Sequence, residues 1–295
     1  MSEAQQPAAS YEKGTSWGQN RRLEFIDFRL LWEGRINRSD LTDFFDISVP
    51  QASLDLARYQ EMAPDNVEYD RKEKAYVATA RFAPLITPED SSRFLNSLLA
   101  VNLGMMSREM SFVGWYPNFG AVLSPSRQIE PRNLFHVLEA MRKKLTLEID
   151  YQSLTRPSQT TRKISPHAIA YDGFRWHTRA YCHEHEDFRD FVFARILVIG
   201  RKSPSSIDPS KDAAWHTVLK LVLAPHPDLP PAQRRIIELD YGMKDGTVVV
   251  ETRQALLFYM LRRLGLDKSA EKSAQAQQIV LANAKELAPY IEAAN

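Results

Sequence analysis

The chain of 295 residues has a single cysteine, Cys182, and lacks any hydrophobic run of membrane-spanning length. One cysteine excludes an intrachain disulfide framework and fits a reducing compartment. A bilayer-spanning helix needs about 20 consecutive apolar residues, so we expect no membrane segment. The N-terminus is polar, with no charged segment leading into an apolar one, and it predicts no secretory signal. We therefore expect a cytoplasmic protein without a membrane partner.

The chain also lacks an excess of either charge, since 38 Lys and Arg stand against 37 Asp and Glu for a net charge of +1. Any nucleic-acid surface must then come from local basic clusters. We find no glycine-rich phosphate loop, nucleophile elbow or HExxH motif. Cys182 stands beside two histidines, but the spacing does not suit zinc, and a charged hairpin loop is the better interpretation. We predict no catalytic residue, metal or cofactor, and hence not an enzyme.

The N-terminal third contains three helical segments followed by a short hairpin. Apolar residues recur at helical spacing over 21–33, and a second short helix follows. Ser48 and Gln51, three residues apart, form a capping box that begins a third helix. Two short strands then enclose a basic turn. This order is typical of a winged helix-turn-helix domain, which we predict over 19–82 behind a flexible tail at 1–18.

The third helix has an apolar face and an opposite polar face. The apolar face, expected to pack on the first two helices, consists of Val49, Ala52, Leu56 and Tyr59. Gln and Arg side chains on the polar face can pair with adenine and guanine in the major groove, while basic wing residues contact phosphates. The side chains predicted to contact DNA are Ser48, Gln51, Ser53, Leu54, Arg58, Arg71, Lys72 and Lys74. Asp55 is interpreted as a structural group, and a small helical domain that binds protein is the alternative.

The rest of the chain changes character several times. Helical periodicity gives way to closely spaced strands, then to a segment rich in Ser, Pro, Lys and Asp, and finally to alternating strands and helices. An Ala/Gln/Lys-rich stretch near the end predicts a terminal helix over 270–291. The fold class is therefore α+β. The predicted segments are a helical connector at 83–144, a β-rich domain at 145–200, a linker at 201–214 and a C-terminal domain at 215–295.

The β-rich domain carries short motifs in a distinctive order. They are Tyr151-Gln152-Ser153, Pro166-His167, Asp172-Gly173-Phe174-Arg175-Trp176 and a strand ending in Arg195-Ile196. In this order the domain resembles the WYL domain of bacterial transcription regulators. With its flanking parts, the chain most resembles the BrxR/CapW group, repressors of anti-phage defence operons. The resemblance implies a dimer, an Sm-like β-barrel for the WYL domain and a C-terminal α/β extension of the WCX type.

The name-giving motif of that family is only partly present. Trp176-His177-Thr178 stands where the family often has Trp-Tyr-Leu, so no ligand can be copied from a more typical member. Strand alternation separates a basic, polar face from a mainly apolar one. Arginine forks suit phosphate, and Tyr or His can stack on a base. We predict a pocket for an anionic, nucleotide-like ligand, formed by Tyr151, Ser153, His167, Arg175, His177, Arg179, Tyr181, Arg189 and Arg195.

The alternative for these arginines is surface ion pairing with Asp150, Asp187 or Asp190. Taken together, the features predict a homodimeric repressor of double-stranded operator DNA, relieved by a nucleotide or nucleic-acid-derived ligand. The connector at 83–144 is the expected transmitter between the two sites. Because phosphate-lined pockets also occur in nucleases, a nucleic-acid-processing or RNA-binding protein remains the alternative function.

Overall fold

The structure, a computed structural model, describes residues 17–122, 125, 127–267 and 273–294. Contacts divide the chain into two compact units that meet in sequence near residue 123. The predicted tail at 1–18 lies outside the described residues, except for Trp17 and Gly18, which already belong to the first helix. Within the described ranges, no helix is both long and apolar enough to cross a bilayer.

The N-terminal unit begins with three helices and a three-stranded sheet of order β1-β3-β2. Its first elements are α1 (Trp17–Glu33), β1 (Arg35–Ile36), α2 (Arg38–Phe45), α3 (Val49–Met62), β2 (Val67–Asp70) and β3 (Ala75–Ala78). A complete capping box begins α2, in which Asn37 and Asp40 each accept the backbone N–H of the other. The predicted order of three helices and a hairpin is present, and this part of the chain is a winged helix.

Aromatic side chains of α1 dominate the core of the N-terminal unit. Phe25 is fully buried and contacts Phe112 edge to face. The next helix, α4 (Ser91–Asn102), adds Leu98 to the same core. The predicted connector at 83–144 therefore falls into two parts. Residues up to 122 belong to the N-terminal unit, and the remainder belongs to the second unit.

The second unit begins with α5 (Pro131–Lys143), which packs Val137 and Ala140 against an antiparallel sheet of order β7-β6-β5-β4-β8. Its strands are β4 (Leu145–Tyr151), β5 (Thr160–Tyr171), β6 (Trp176–Cys182), β7 (Asp187–Val192) and β8 (Ile196–Pro204). A bulge in β5 between Pro166 and Ala168 bends the sheet. In the described part of the chain β7 and β8 are not paired, so hydrogen bonds do not close the expected barrel.

A smaller antiparallel sheet, of order β10-β9-β11, forms the C-terminal part of the second unit. Leu221 and Leu223 of its central strand are buried together with Leu257 from a helix. The elements are α6 (Ala213–His216), β9 (Val218–Pro225), α7 (Pro231–Asp240), β10 (Val248–Arg253), α8 (Leu257–Arg263), β11 (Ile279–Leu281) and α9 (Ala284–Ala294). The alternation of strand and helix expected for this region is present.

Two C-terminal expectations differ from the structure. In the predicted linker at 201–214, β8 continues to Pro204 and Asp212 is buried at the start of α6. In the predicted terminal helix at 270–291, residues 268–272 lie outside the described residues and β11 pairs with β9 before α9 begins. Local composition favoured a helix there, whereas pairing with a distant strand decides the conformation.

Candidate functional site

The helix α3 begins at the predicted cap, but only half of the predicted capping box forms. The N–H of Gln51 donates to Oγ of Ser48 over 3.4 Å, and Pro50 stands in the first turn, where its missing N–H loses no bond. The Gln51 side chain points along the helix instead, and its Nε2 donates to Oδ1 of Asp55 over 3.2 Å. Gln51 is therefore positioned by the next turn of α3.

The two faces of α3 follow the predicted separation except at its first residue. Ala52, Leu56 and Tyr59 are buried in the core of the N-terminal unit, as expected. The expectation for Val49 was wrong, because it is 58% exposed. Residues 48–50 are all exposed, so the very start of the helix lies outside the core. The start of this helix is the part of a helix-turn-helix that enters a major groove.

The predicted base readers of α3 have different surroundings. Leu54 is 65% exposed and Ser48 is exposed. The Ser53 hydroxyl donates to the carbonyl of Val49 over 3.0 Å, so its proton is already used within the helix. Arg58 is half-buried, one turn beyond Leu54. The structure thus exposes Ser48 and Leu54 near the start of α3 and holds Arg58 closer to the protein.

Beneath the polar face of α3 lies a buried ion pair between α1 and α3. Asp55 is fully buried, and Arg22 donates to its two oxygens, from Nε over 2.6 Å and from Nη2 over 3.3 Å. A buried carboxylate needs such a partner, because an unpaired buried charge is strongly destabilising. The interpretation of Asp55 as a structural group is consistent with this geometry. Arg22 was not singled out, since nothing local in the sequence connects it to α3.

A second buried carboxylate fixes the chain that follows the wing. Asp27 accepts the N–H groups of Leu85, Ile86 and Thr87 over 2.9, 2.9 and 2.6 Å. It also accepts the hydroxyl of Tyr59, from α3, over 2.5 Å. Burial, together with the neighbouring Asp27 charge, raises the pKa of Tyr59, so the phenol stays a donor. Asp27 therefore joins α1, α3 and the exit from the wing.

The hairpin β2–β3 presents its basic turn to solvent. Arg71, Lys72 and Lys74 are all exposed, as a phosphate-binding wing requires. Asp70 shapes the turn by accepting the N–H of Lys72 over 2.7 Å, and Lys74 adopts a left-handed φ of 51°. The wing residues and the start of α3 are thus both free of the core of the N-terminal unit.

In the second unit, β6 carries three predicted ligand residues on one face of the five-stranded sheet. His177, Arg179 and Tyr181 alternate along the strand, as the period of two predicts. Tyr181 lies opposite Phe188 of β7. His167 of β5 reaches the same face, where its ring lies edge-on to Phe188 with 5.4 Å between ring centroids. We call this polar surface the sensor face.

Two carboxylates engage the Arg179 guanidinium on the sensor face. Nε and Nη2 donate to Oδ2 and Oδ1 of Asp212 over 2.8 and 3.0 Å, and Nη1 donates to Oδ1 of Asp190 over 3.2 Å. Burial alone would lower the pKa of Arg179, but the two carboxylates outweigh it and raise the pKa, so the guanidinium stays charged. Pairing with Asp190 was the stated alternative for these arginines, whereas Asp212 was not anticipated.

His167 shares the same carboxylate, with Nε2 2.9 Å from Oδ2 of Asp212. Burial lowers the pKa of His167 despite this contact, which favours the neutral ring. For Asp212 itself, burial raises the pKa, but hydrogen bonds from Arg179 and His167 outweigh burial and lower it. The cluster is thus an anion held by an arginine fork and an imidazole.

A second acidic centre lies at the turn between β5 and β6. Asp172 accepts the N–H groups of Phe174 and Arg175 over 2.7 and 2.6 Å, and its Oδ2 lies 2.9 Å from Nε2 of His177 and 3.1 Å from Nε of Arg175. Burial tends to raise the pKa of Asp172, yet the hydrogen bond from His177 and the two backbone donors hold it at about 2. His177 and Arg175 are therefore occupied by a neighbouring carboxylate.

The other predicted ligand residues do not lie beside Arg179. Tyr151 is buried in the core beneath the opposite face of the sheet, where its hydroxyl oxygen accepts the N–H of Val192 over 3.2 Å. A register shift between Asp150 and Tyr151 against β8 accompanies this placement. Ser153 follows β4 in a loop and pairs with the hydroxyl of Thr155 over 3.0 Å. Arg195 lies in a 3₁₀ turn before β8.

An open cavity of 580 Å³ lies next to Arg179, between β7 and the C-terminal helices. The exposed Arg189 also lines the cavity, and its Nε lies 3.9 Å from Oδ2 of Asp187, one of the carboxylates named above as a possible partner. Its other wall comes from Gln254, Phe258, Tyr259 and Tyr290. The Tyr259 hydroxyl donates to Oδ2 of Asp190 over 3.2 Å, which ties the C-terminal wall to β7. These C-terminal residues were missed because they lie far along the chain and form no recognisable motif.

The cysteine and histidine cluster forms the turn between β6 and β7. Cys182 is buried, and its Sγ lies 3.2 Å from Nδ1 of His185 and 3.3 Å from a carboxylate oxygen of Glu184. Among the described residues, no group of three or more His, Cys, Asp or Glu side chains is arranged to hold a metal ion. The cluster is a charged hairpin turn with its thiol facing inward.

Three segments of the chain match described protein families. Residues 18–100 match the BrxR transcriptional regulator winged helix-turn-helix domain. Residues 132–199 match the WYL domain, and residues 218–287 match the BrxR transcriptional regulator C-terminal dimerization domain. The first match runs into α4, in agreement with the packing of that helix on the winged-helix core.

Curated relatives match along almost the whole chain, and each is described as the DNA-binding transcriptional repressor CapW. The chain is 45% identical over 277 residues to the relative from Stenotrophomonas maltophilia, with 93% of each chain covered. It is 43% identical to the relative from Escherichia coli (strain KTE188), over 93% of this chain and 92% of that one. It is also 43% identical to the relative from Pseudomonas aeruginosa, over 97% and 96%.

Proposed function

The chain belongs to the CapW family of DNA-binding transcriptional repressors, and from this premise we propose that it binds a pseudo-palindromic operator as a homodimer. It is a repressor and not an enzyme, so the nucleic-acid-processing alternative is set aside. A two-fold dimer places two readers on matching half-sites, which is why we expect operator symmetry. The protein acts where the bacterial chromosome is, in the cytoplasm.

The exposed start of α3 is the observation that carries this assignment of the reader. Ser48 and Leu54 are exposed there, and Gln51 is half-buried beside them with its amide on Asp55. Once released from Asp55, a glutamine amide can pair with adenine through two hydrogen bonds. The exposed wing residues Arg71 and Lys72 supply phosphate contacts, which strengthen binding without selecting sequence. We therefore assign base readout to the first half of α3 and backbone binding to the wing.

We further propose that the sensor face and its cavity receive an anionic, nucleotide-like ligand that relieves repression. Arg189 offers an exposed cation at the cavity, and Phe258 and Tyr290 offer aromatic surfaces for a base. A ligand changes operator affinity only if it binds the two conformations differently. The resemblance to repressors of defence operons supports an anti-phage operon as the target.

The reader assignment predicts that Gln51→Ala weakens specific operator binding while the protein stays folded. Loss of a two-bond contact to a base removes about 1–3 kcal/mol of discrimination against the wrong base pair. Electrophoretic mobility shifts with the protein's own promoter and with a scrambled duplex measure this difference. Binding to the scrambled duplex should not change.

Gln60→Ala is the matched control, since Gln60 is an exposed glutamine of the same helix beyond its first half. It should leave both affinities at wild-type values. Undiminished preference for the promoter in the Gln51 variant would refute the assignment of α3 as the reader.

A further inference from the structure

One carboxylate on the sensor face does not come from the sheet that bears the arginine. Asp212 is only 1% exposed, and both its oxygens accept hydrogen bonds from Arg179. His167 reaches it from β5. The residue itself belongs to the segment that leads from β8 to the C-terminal sheet. The sensor face therefore holds an anion that another part of the chain supplies.

Asp212 is also connected to the C-terminal sheet through hydrogen bonds of Trp215. Its side chain caps α6 by accepting the N–H of Trp215 over 3.2 Å. The carbonyl of Trp215 accepts a hydrogen bond of 2.6 Å from Arg253, at the end of β10, and the Arg253 guanidinium lies 4.7 Å from the Trp215 ring centroid. Asp212 thus links the sensor face, through α6, to the part of the chain that matches a dimerization domain.

The donors around Asp212 are those that bind phosphate in many proteins. An arginine fork can hold two oxygens of a carboxylate or a phosphate with the same geometry, and an imidazole adds a third donor. The cavity beside Arg179 gives a ligand access to this fork. Within the cluster, Asp190 engages only one nitrogen, whereas Asp212 occupies the paired face of the guanidinium.

We infer that Asp212 is an internal mimic of the ligand, and that a ligand phosphate relieves repression by displacing it from Arg179 and His167. This rests on the proposed sensing of an anionic ligand at the same face. Displacement returns the aspartate to water, removes the cap of α6 and breaks the charged link to the C-terminal sheet. Binding of the ligand phosphate to Arg179 and His167 thereby changes how the dimerization domain is held.

Removal of the competing carboxylate should then strengthen phosphate binding. The apparent dissociation constant equals the intrinsic constant divided by the fraction of protein whose site is open. Opening the site in Asp212→Asn should therefore tighten binding by about tenfold or more. Isothermal titration of the full-length protein with a 5′-phosphorylated thymidine dinucleotide, and in parallel with inorganic pyrophosphate, measures this. Tighter binding of both probes identifies phosphate as the recognised group. Tighter binding of the dinucleotide alone indicates that contacts to the bases contribute as well.

Asp240→Asn is the control, because it removes the same charge from an exposed position on α7 that does not line the cavity. Its affinity for either probe should change by less than about threefold, the effect of a screened surface charge. Equal affinities in wild type and Asp212→Asn would overturn the displacement mechanism while leaving the ligand proposal intact. Absence of binding in all three proteins would instead refute phosphate sensing, and displacement with it.

A second measurement does not depend on the stability of the Asp212 variant. Trp215 is half-buried beside the cap, and its ring contacts His167. Saturation of the wild type with the dinucleotide should shift the Trp215 emission to the red, identified by subtracting the spectrum of Trp215→Phe. Binding without any change in that emission would contradict release of α6.

Discussion

At the scale of single residues, buried aspartates organise both units of this repressor. Asp27, Asp55, Asp172 and Asp212 are each at most 9% exposed, and each collects several donors from different elements. A carboxylate in such a place is destabilising unless its partners are all present. These four side chains therefore fix local geometry: the wing exit, the reader helix, the β5–β6 turn and the cap of α6.

The stabilising role of a buried aspartate can be tested at Asp172 by varying the pH. Its pKa of about 2 lies below the ordinary value of 3.8, so its stabilising contribution is complete above 3.8 and is lost as the pH falls toward 2. Asp172→Asn should lower the free energy of unfolding by about 1–3 kcal/mol near neutral pH. Urea unfolding at several pH values should show that the gap between wild type and variant narrows in acid.

Asp228→Asn provides the comparison, because the side chain of Asp228 is 80% exposed. It should leave the free energy of unfolding nearly unchanged at every pH. A gap for Asp172→Asn that stays constant down to pH 2 would mean that its hydrogen bonds contribute independently of ionisation.

At the scale of elements, the sequence was most informative where a local rule sets the boundary. Ser48 and Pro50 mark the start of α3 within their own turn, and the structure begins the helix there. By contrast, β11 exists only because it pairs with β9, and its own Ala/Gln/Lys-rich surroundings favour helix. Strand pairing of this kind cannot be read from composition.

The candidate site shows the same division. The alternation of His177, Arg179 and Tyr181 along β6 was predictable from the period of a strand. The partner of Arg179 was not, because Asp212 lies 33 residues away and approaches from outside the sheet. The burial of Tyr151 follows from the same period, because Leu147, Ile149 and Tyr151 alternate along β4 and pack in one core. The assignment of Tyr151 to the ligand pocket overlooked that pattern.

The contribution of the wing to DNA binding can be measured separately from recognition of the DNA sequence. Arg71→Ala together with Lys72→Ala should weaken binding to promoter and scrambled DNA alike. Each lost phosphate contact lowers the slope of log affinity against log salt by about 0.9, so the double variant should lose up to about 1.8. Fluorescence anisotropy across a salt series measures the slope.

The matched double variant is Arg234→Ala with Arg235→Ala, two exposed neighbouring arginines on α7 of the second unit. It should retain the wild-type slope. If both double variants lower the salt slope by the same amount, the wing does not contact phosphates specifically.

At the scale of the whole molecule, the chain joins a winged helix, a WYL domain and a dimerization domain in that order. Its net charge of +1 gives no overall attraction to DNA, so affinity depends on where cations are placed. In the second unit, the five-stranded sheet and the C-terminal helices share the cavity and the Asp190–Tyr259 contact. These contacts join the part of the chain that matches the WYL domain to the part that matches the dimerization domain.

The proposed regulation can be followed in cells. A reporter driven by the protein's own promoter should be repressed equally by wild type and by Arg189→Ala, since Arg189 lies outside the reader. On phage challenge, wild type should release the reporter and Arg189→Ala should not, because the exposed cation of the cavity is gone. Reporter fluorescence before and after infection gives both quantities.

Arg201→Ala, an exposed arginine on β8, should respond as wild type does. Normal release in the Arg189 variant would place the ligand elsewhere. Continued repression by wild type after infection would argue against a defence operon as the target.

The hydrogen bonds from residues 85–87 to Asp27 have a practical consequence for the design of chimeras that join this winged helix to a different ligand-binding domain. A junction placed just after the wing, near residue 82, would remove the three backbone N–H groups that donate to the fully buried Asp27. It would also remove Leu98 and Phe112 from the core. The transferable cassette extends to about residue 122, well past the last strand of the winged helix. Chimeras joined there should contain a folded winged helix, whereas chimeras joined near residue 82 should be unstable.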